Sequence, residues 1–267
     1  MAPLKLLTVV SASFLALHTV SAAGGATTVT YTATLGDDGK CLDKVNSARE
    51  AVGLSDLQQA GKADTTRRLP DSTSTQQDKY NEWVWQPVCD VLIPNQPKEE
   101  TESDAPTAGT VKFQSGTYAY EEVDAAAVNC TAVVDAWKSA YKNFKEPPPA
   151  YTTDNALYKD QKNVSFMAMY NPSEGATADC RVVTCTKTTN VAKTADDGSA
   201  GSPQTESGSA LICMTVPDIL SKEQTKAPFT DEQWDKIVKT LKGSASAISP
   251  SVVGLAVTVL GLAATLL

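Results

Sequence analysis

Six cysteines, Cys41, Cys89, Cys130, Cys180, Cys185 and Cys213, constrain this 267-residue chain more than any other feature. In an oxidising compartment an even set of this kind forms a disulfide frame, whereas in the cytosol it more often holds metal or does chemistry. The start of the chain decides between the two. Met1–Lys5 is a short basic region, Leu6–Val20 is apolar, and Ser21-Ala22-Ala23 is small, the three parts of a secretory signal peptide. Cleavage is expected after Ala22 or Ala23. The expectation is therefore three disulfides, and the count alone leaves their pairing open. Zinc is disfavoured, because paired C-x2-C knuckles and partner histidines are missing.

The other end carries a second sorting pattern. Gly243-Ser-Ala-Ser-Ala247 is followed by a short polar spacer, Ile248–Ser251, and an apolar tail, Val252–Leu267. Small residues, spacer and tail together make a glycosylphosphatidylinositol (GPI) attachment signal. The tail has 16 residues, against about 20 for a membrane-spanning helix. It also carries no Lys or Arg of the kind that flanks such a helix on its cytoplasmic side. Gly243 or Ser244 is the expected anchor residue, with Ala245 the alternative. The expected plan is a removed leader, 1–23, one ectodomain, 24–243, and a removed anchor signal, 244–267.

All charge except that of Lys5 falls in the ectodomain, 22 basic against 31 acidic residues, net −9. Such a surface argues against nucleic acid or anionic lipid heads as partners, and Arg67-Arg68 is the one basic doublet of note. Histidine is the most telling absence: His18 lies in the leader, so the mature chain has none. Ser-His-Asp and Cys-His nucleophile activation and His-based metal sites are thereby excluded. The acidic pairs Glu99-Glu100, Glu121-Glu122 and Asp196-Asp197 are sequence neighbours, which point to different faces of a strand or helix, and read as solvated charge. No catalytic residue, metal ligand or cofactor is expected.

Periodicity predicts mixed helix and sheet. Val45, Ala48, Ala51 and Val52 share a helical face ended by Gly53. Asp56–Gln77 reads as helix then loop, and Tyr80–Ile93 as a packed segment, helical until Pro87. Asn95–Ala108 is acidic and poor in apolar residues, hence a loop. Val111–Phe113 and Tyr118–Tyr120 read as short extended pieces. Asp124 is the candidate cap of a helix carrying Val133, Val134, Trp137, Tyr141 and Phe144, stopped by Pro147-Pro148-Pro149. Val164–Tyr170, Cys180–Cys185 and Ala210–Val216 read as three strands of a meander, with Thr186–Ser209 an exposed hairpin loop. Thr230-Asp-Glu-Gln233 is a capping box opening a last helix, with Trp234, Ile237, Val238 and Leu241 buried and its end at Gly243.

Within this order, Cys41–Leu54 is similar to the first helix of CAP-superfamily domains, with Asn46, Arg49 and Gly53 in the matching places. Ser165–Tyr170, Cys180-x4-Cys185 and Leu211–Cys213 resemble that superfamily's strand run, and Trp137–Phe144 its preceding helix. The strand motif that carries a histidine in CAP domains stands here as Asn163–Tyr170 without one, so the metal site is not carried over. With its removable ends and six cysteines, the chain resembles the GPI-anchored surface antigens (SAG family) of Eimeria-type coccidia. The resemblance implies an α+β fold, a CAP-like α-β-α sandwich with a small antiparallel sheet of about three strands. It also implies the pairs Cys180–Cys213, Cys89–Cys185 and Cys41–Cys130.

Two sequons are candidate N-glycosylation sites, Asn129-Cys-Thr131 and Asn163-Val-Ser165. Asn129 falls in a helix beside a disulfide cysteine and Asn163 opens a core strand, both poor places for glycan transfer. The function expected is a non-catalytic surface antigen, on the outer face of the plasma membrane. Thr65–Gln76, Asn95–Ala108 and Thr186–Ser209 would face outward, toward a host-cell receptor and host antibodies. The chain is expected to be a monomer that meets the membrane through its lipid anchor. A CAP-like lipid- or sterol-binding module is the alternative, and a carboxylate-based hydrolase comes third.

Overall fold

The computed structural model describes residues 27–93, 113–191 and 202–246. The elements run, in order, β1 (Thr27–Leu35), α1 (Leu42–Glu50), β2 (Gln58–Gln59), β3 (Thr73–Gln76), α2 (Gln86–Leu92), β4 (Thr117–Glu122), α3 (Cys130–Ser139), α4 (Gln161–Met169), β5 (Thr177–Val191), β6 (Gln204–Val216) and α5 (Asp231–Ser246). Strands pair antiparallel in the order β3-β1-β5-β6-β4, and β2 pairs parallel with β5. The sheet thus has six strands, where the sequence suggested about three.

Alternation along the strands sorts the core into two parts on opposite faces. Ala119, Ala178, Cys180, Leu211 and Cys213 face one cluster, which takes Val45 of α1, Trp137 of α3, Phe166 of α4 and Ile237 of α5. Tyr31, Ala33, Val183, Cys185, Ala210, Ile212 and Met214 face the other, against Tyr80, Trp83, Trp85, Cys89 and Leu92 around α2. Helices therefore cover both faces. Phe144, Phe166 and Trp234 meet with ring centroids 5.6–6.1 Å apart, which ties α5 to α4.

Each disulfide braces a different part of this arrangement. Cys180–Cys213 joins residues directly opposed across β5 and β6, Cys89–Cys185 rivets α2 to the sheet, and Cys41–Cys130 joins the starts of α1 and α3. These are the pairs that the resemblance implies.

Several local expectations change. Val164–Tyr170 is not a strand but most of α4. The Asp160 carboxylate caps it by accepting the Lys162 N–H at 2.9 Å, and Phe166, Met167, Ala168 and Met169 are all buried. Almost wholly buried from Asn163 onward, the helix shows a continuous apolar run that imitates a core strand. Pro87 does not end a helix; it sits in the first turn of α2, where its missing N–H costs no bond. Asp56–Gln77 holds no α-helix but β2, a 3-10 turn at Thr65–Arg67, and β3. Asn129, not Asp124, caps α3, accepting the Ala132 N–H at 3.1 Å.

Much of Thr186–Ser209 is strand, since β5 runs to Val191 and β6 begins at Gln204. There Thr184, Thr186 and Thr188 lie beside Thr34, Thr32 and Thr30 of β1 and Ser209, Ser207 and Thr205 of β6. One face of the outer sheet is thus a grid of uncharged hydroxyls. The capping box forms as expected: Gln233 N–H donates to Thr230 Oγ1 at 3.2 Å, and Thr230 N–H donates to Gln233 Oε1 at 2.9 Å. α5 then continues past Gly243 to Ser246. The leader, Asn95–Ala108 and the apolar tail lie outside the described residues.

Candidate functional site

All six cysteines are in disulfides, and among the described residues no three acidic, His or Cys side chains are grouped to hold a metal. The densest set of charges is Asp38, Arg68, Asp179 and Arg181. The fully buried Asp179 carboxylate accepts the Leu69 N–H and Arg181 Nε, both at 2.9 Å. Burial pushes its carboxyl above the usual range, against the pull of the Leu69 amide and Arg68. Arg68 donates to Asp38 at 2.8 Å and to the Ala60 carbonyl at 2.9 Å, and Arg181 also pairs with Asp38. The set closes on itself and binds the Asp64–Leu69 turn to β5. Arg68 is therefore a brace, and Arg67-Arg68 forms no basic patch.

The residues matched to the CAP first helix also serve the frame. The Asn46 side chain bonds both backbone groups of Leu57, at 2.9 and 3.1 Å. Arg49 is buried and donates to the Ser55 and Met169 carbonyls, both at 2.8 Å. Burial lowers its guanidinium to about 10, partly offset by Asp56. Gly53 leaves α1 at φ 78°, the left-handed geometry that favours glycine at a helix exit.

One concave feature stands apart from this bracing. Between α2 and β4 lies a groove of about 780 Å³, floored by Ile212 and Tyr118 and walled by Pro87, Val88, Val91 and Phe113. The β4 alternation Tyr118-x-Tyr120-x-Glu122 sends both tyrosines and Glu122 to one face, and Val88 and Val91 share a face of α2. Val91 is 55% exposed, although it is a large apolar residue. Phe113 meets Trp85 and Tyr118 edge-on, with centroids 5.2 and 5.5 Å apart.

Glu121, Glu122, Asp160 and Lys162 stand at the rim. Glu121 is half-buried, and burial raises its carboxyl while Lys162 opposes the shift. The Tyr120 hydroxyl is buried beside the Glu122 carboxylate. Burial, then the charge of Glu122 and a hydrogen bond to it, pushes this phenol up to about 12. Of the pair expected to be solvated charge, Glu122 is exposed and Glu121 is half-buried, and both border the cavity. The sequence signal was the tyrosine alternation, which was visible, but the α2 wall facing it was not.

The two sequons differ in access. Asn129 is exposed, though its side chain caps α3. Asn163 is 2% exposed, accepts from Asn143 at 2.7 Å and donates to the Leu157 carbonyl at 2.9 Å. A glycan there has no room without unseating α4. Glycopeptide mass spectrometry of the secreted protein should find Asn163 unmodified, and a substantial glycosylated fraction at Asn163 would contradict its placement.

Comparison with known proteins gives the groove and braces a family context. A family model described as a sporozoite surface antigen (SAG) protein domain matches residues 37–256, a span that takes in all six cysteines. The chain is also similar to the sporulated oocyst TA4 antigen of Eimeria tenella, 29% identical over 229 residues, covering 79% of this chain and 81% of that protein. On the extent of the family match, the chain belongs to the sporozoite surface antigen (SAG) family.

Proposed function

We propose that the chain is a GPI-anchored, non-catalytic surface antigen, processed to residues 24–243 and displayed on the outer face of the parasite plasma membrane. There it serves attachment to host cells and exposure to host antibodies. The observation that carries this reading is the use made of the buried charges. Asp179, Arg68 and Arg49 all bond backbone groups, Arg181 closes on Asp179 and Asp38, and none is aimed at an open site where a substrate could sit. A site must be present before a fold confers activity. The anchor pattern at Gly243 or Ser244 supports lipid attachment. There α5 would carry the body directly above the membrane, with no linker between.

The test is treatment of intact parasites with phosphatidylinositol-specific phospholipase C. The protein should pass into the supernatant with a C-terminal peptide ending at Gly243, Ser244 or Ala245. Recovery of a C-terminal peptide from Val252–Leu267 would overturn the anchor. For attachment, the soluble body 24–243 should bind host cells saturably. Failure to do so would leave immune exposure as the role of the displayed body.

A second reading, a CAP-like lipid- or sterol-binding module, is favoured by one observation, the apolar groove between α2 and β4. Saturable binding of a fluorescent sterol, lost when the groove is filled, would establish it.

A further inference from the structure

The groove beside β4 differs from a plain apolar cleft in three respects, and each bears on what it can hold. Its volume, about 780 Å³, falls within the roughly 300–1,000 Å³ range of small-molecule sites. It is therefore sized for a small ligand. Its apolar and aromatic walls suit an alkyl chain, and Val91 stays exposed at the cost of wetted apolar surface.

The polar end of the groove sets the sign of the ligand. Glu121, Glu122 and Asp160 stand there against the single cation Lys162. A carboxylate, sulfate or phosphate head would meet net negative charge in a partly desolvated place, whereas a cation would be attracted. Behind these groups lies the Tyr120 hydroxyl, closed off from solvent with the Glu122 carboxylate beside it. The rim carboxylates Glu121 and Glu122 are acceptors to which a protonated amine can donate.

We infer that the groove binds a single-chain amphiphile with a protonated amine head, its alkyl chain between Val88, Val91 and Phe113 and its ammonium at the Glu121 and Glu122 carboxylates. No step of chemistry is involved; the site holds and orients. The inference rests on the second reading above, that the groove is a ligand site, and narrows it to one head group. An ammonium can donate to two carboxylates together, whereas a sterol hydroxyl has one proton only.

The test is calorimetric titration of the full-length protein with decylammonium chloride at neutral pH, below its micelle-forming concentration. Decyl sulfate and decyl maltoside are the comparators. One saturable site is expected for decylammonium, with decyl maltoside at least tenfold weaker and decyl sulfate not binding. Glu121→Gln keeps the shape of a rim side chain, so folding should be unharmed while affinity falls about tenfold. Glu122→Gln should also weaken binding and flatten its salt dependence. Val91→Trp, at an exposed position, should fill the groove and abolish binding.

Equal affinity for decyl maltoside, or binding of a sterol with no response to Glu122→Gln, would keep the ligand-site reading and overturn the ammonium head. No saturable binding, or binding untouched by Val91→Trp, would overturn both. Binding seen only after excision of residues 94–112 would make that stretch the occupant and likewise overturn the inference.

Discussion

Replacing Cys89 and Cys185 together by serine is expected to lower the unfolding free energy by about 4–5 kcal/mol, measured as a fall in urea midpoint. The bond closes a loop with a sequence separation of 96, and both cysteines are buried. The chain-entropy model gives nearly the same loss for Cys41–Cys130, whose separation is 89. The two serine variants should therefore match in midpoint but differ in what they loosen. α2 spans only Gln86–Leu92, too short to persist without its tertiary seat. The tryptophans Trp83 and Trp85, packed with Cys89 in one cluster, should lose near-ultraviolet circular dichroism only when the Cys89 bond is missing. A loss below about 2 kcal/mol would be far from the chain-entropy value and would show that α2 is held by packing alone.

Gly208→Ala should be nearly as damaging, for a steric reason. A Cβ at this position would lie 2.2 Å from the Leu92 carbonyl oxygen and 3.0 Å from its carbon. Overpacking usually costs about 1–3 kcal/mol because side chains rotate aside. Here the obstacle is the backbone at the end of α2, so about 3 kcal/mol or more is expected. Gly61→Ala is the control: nothing lies within 4 Å of its added Cβ, and a change within about 0.5 kcal/mol is expected. A near-neutral Gly208→Ala would mean that α2 does not lie flat on β6. Because α2 also supplies Val88 and Val91 to the groove, either variant should weaken ligand binding there as a secondary effect.

What the sequence disclosed follows from which signals are local. The α5 capping box and the Gly53 exit depend on residues within a few positions, and both appear as expected. Of the expected α1 face Val45 and Val52 are buried, but Ala51 is exposed and Arg49 takes a buried place instead. The element types of α4 and β1 were less accessible, for opposite reasons. From Asn163 onward α4 is almost wholly buried and so lacks the 3.6-residue stripe that marks a half-exposed helix. Thr27–Leu35 drew no reading, although Val29, Tyr31, Ala33 and Leu35 alternate with threonines through its whole length. Threonine favours a pleated surface by its branching, and the composition of Thr186–Ser209 concealed this by adding Ser, Asp and Gly. The groove was the least legible feature. Its two walls come from segments separated by residues 94–112, and only their meeting creates it.

The β5–β6 hairpin carries a consequence for how such a chain can change over generations. Its strands are pinned to each other by Cys180–Cys213 and to α2 by Cys89–Cys185, well inside the connection at residues 192–203. Lengthening a loop between ends already held together costs only about 0.6 kcal/mol per doubling. Mutations and insertions in that connection are thus thermodynamically insulated from the two cores. That connection can change in sequence and length while the scaffold that carries it stays still.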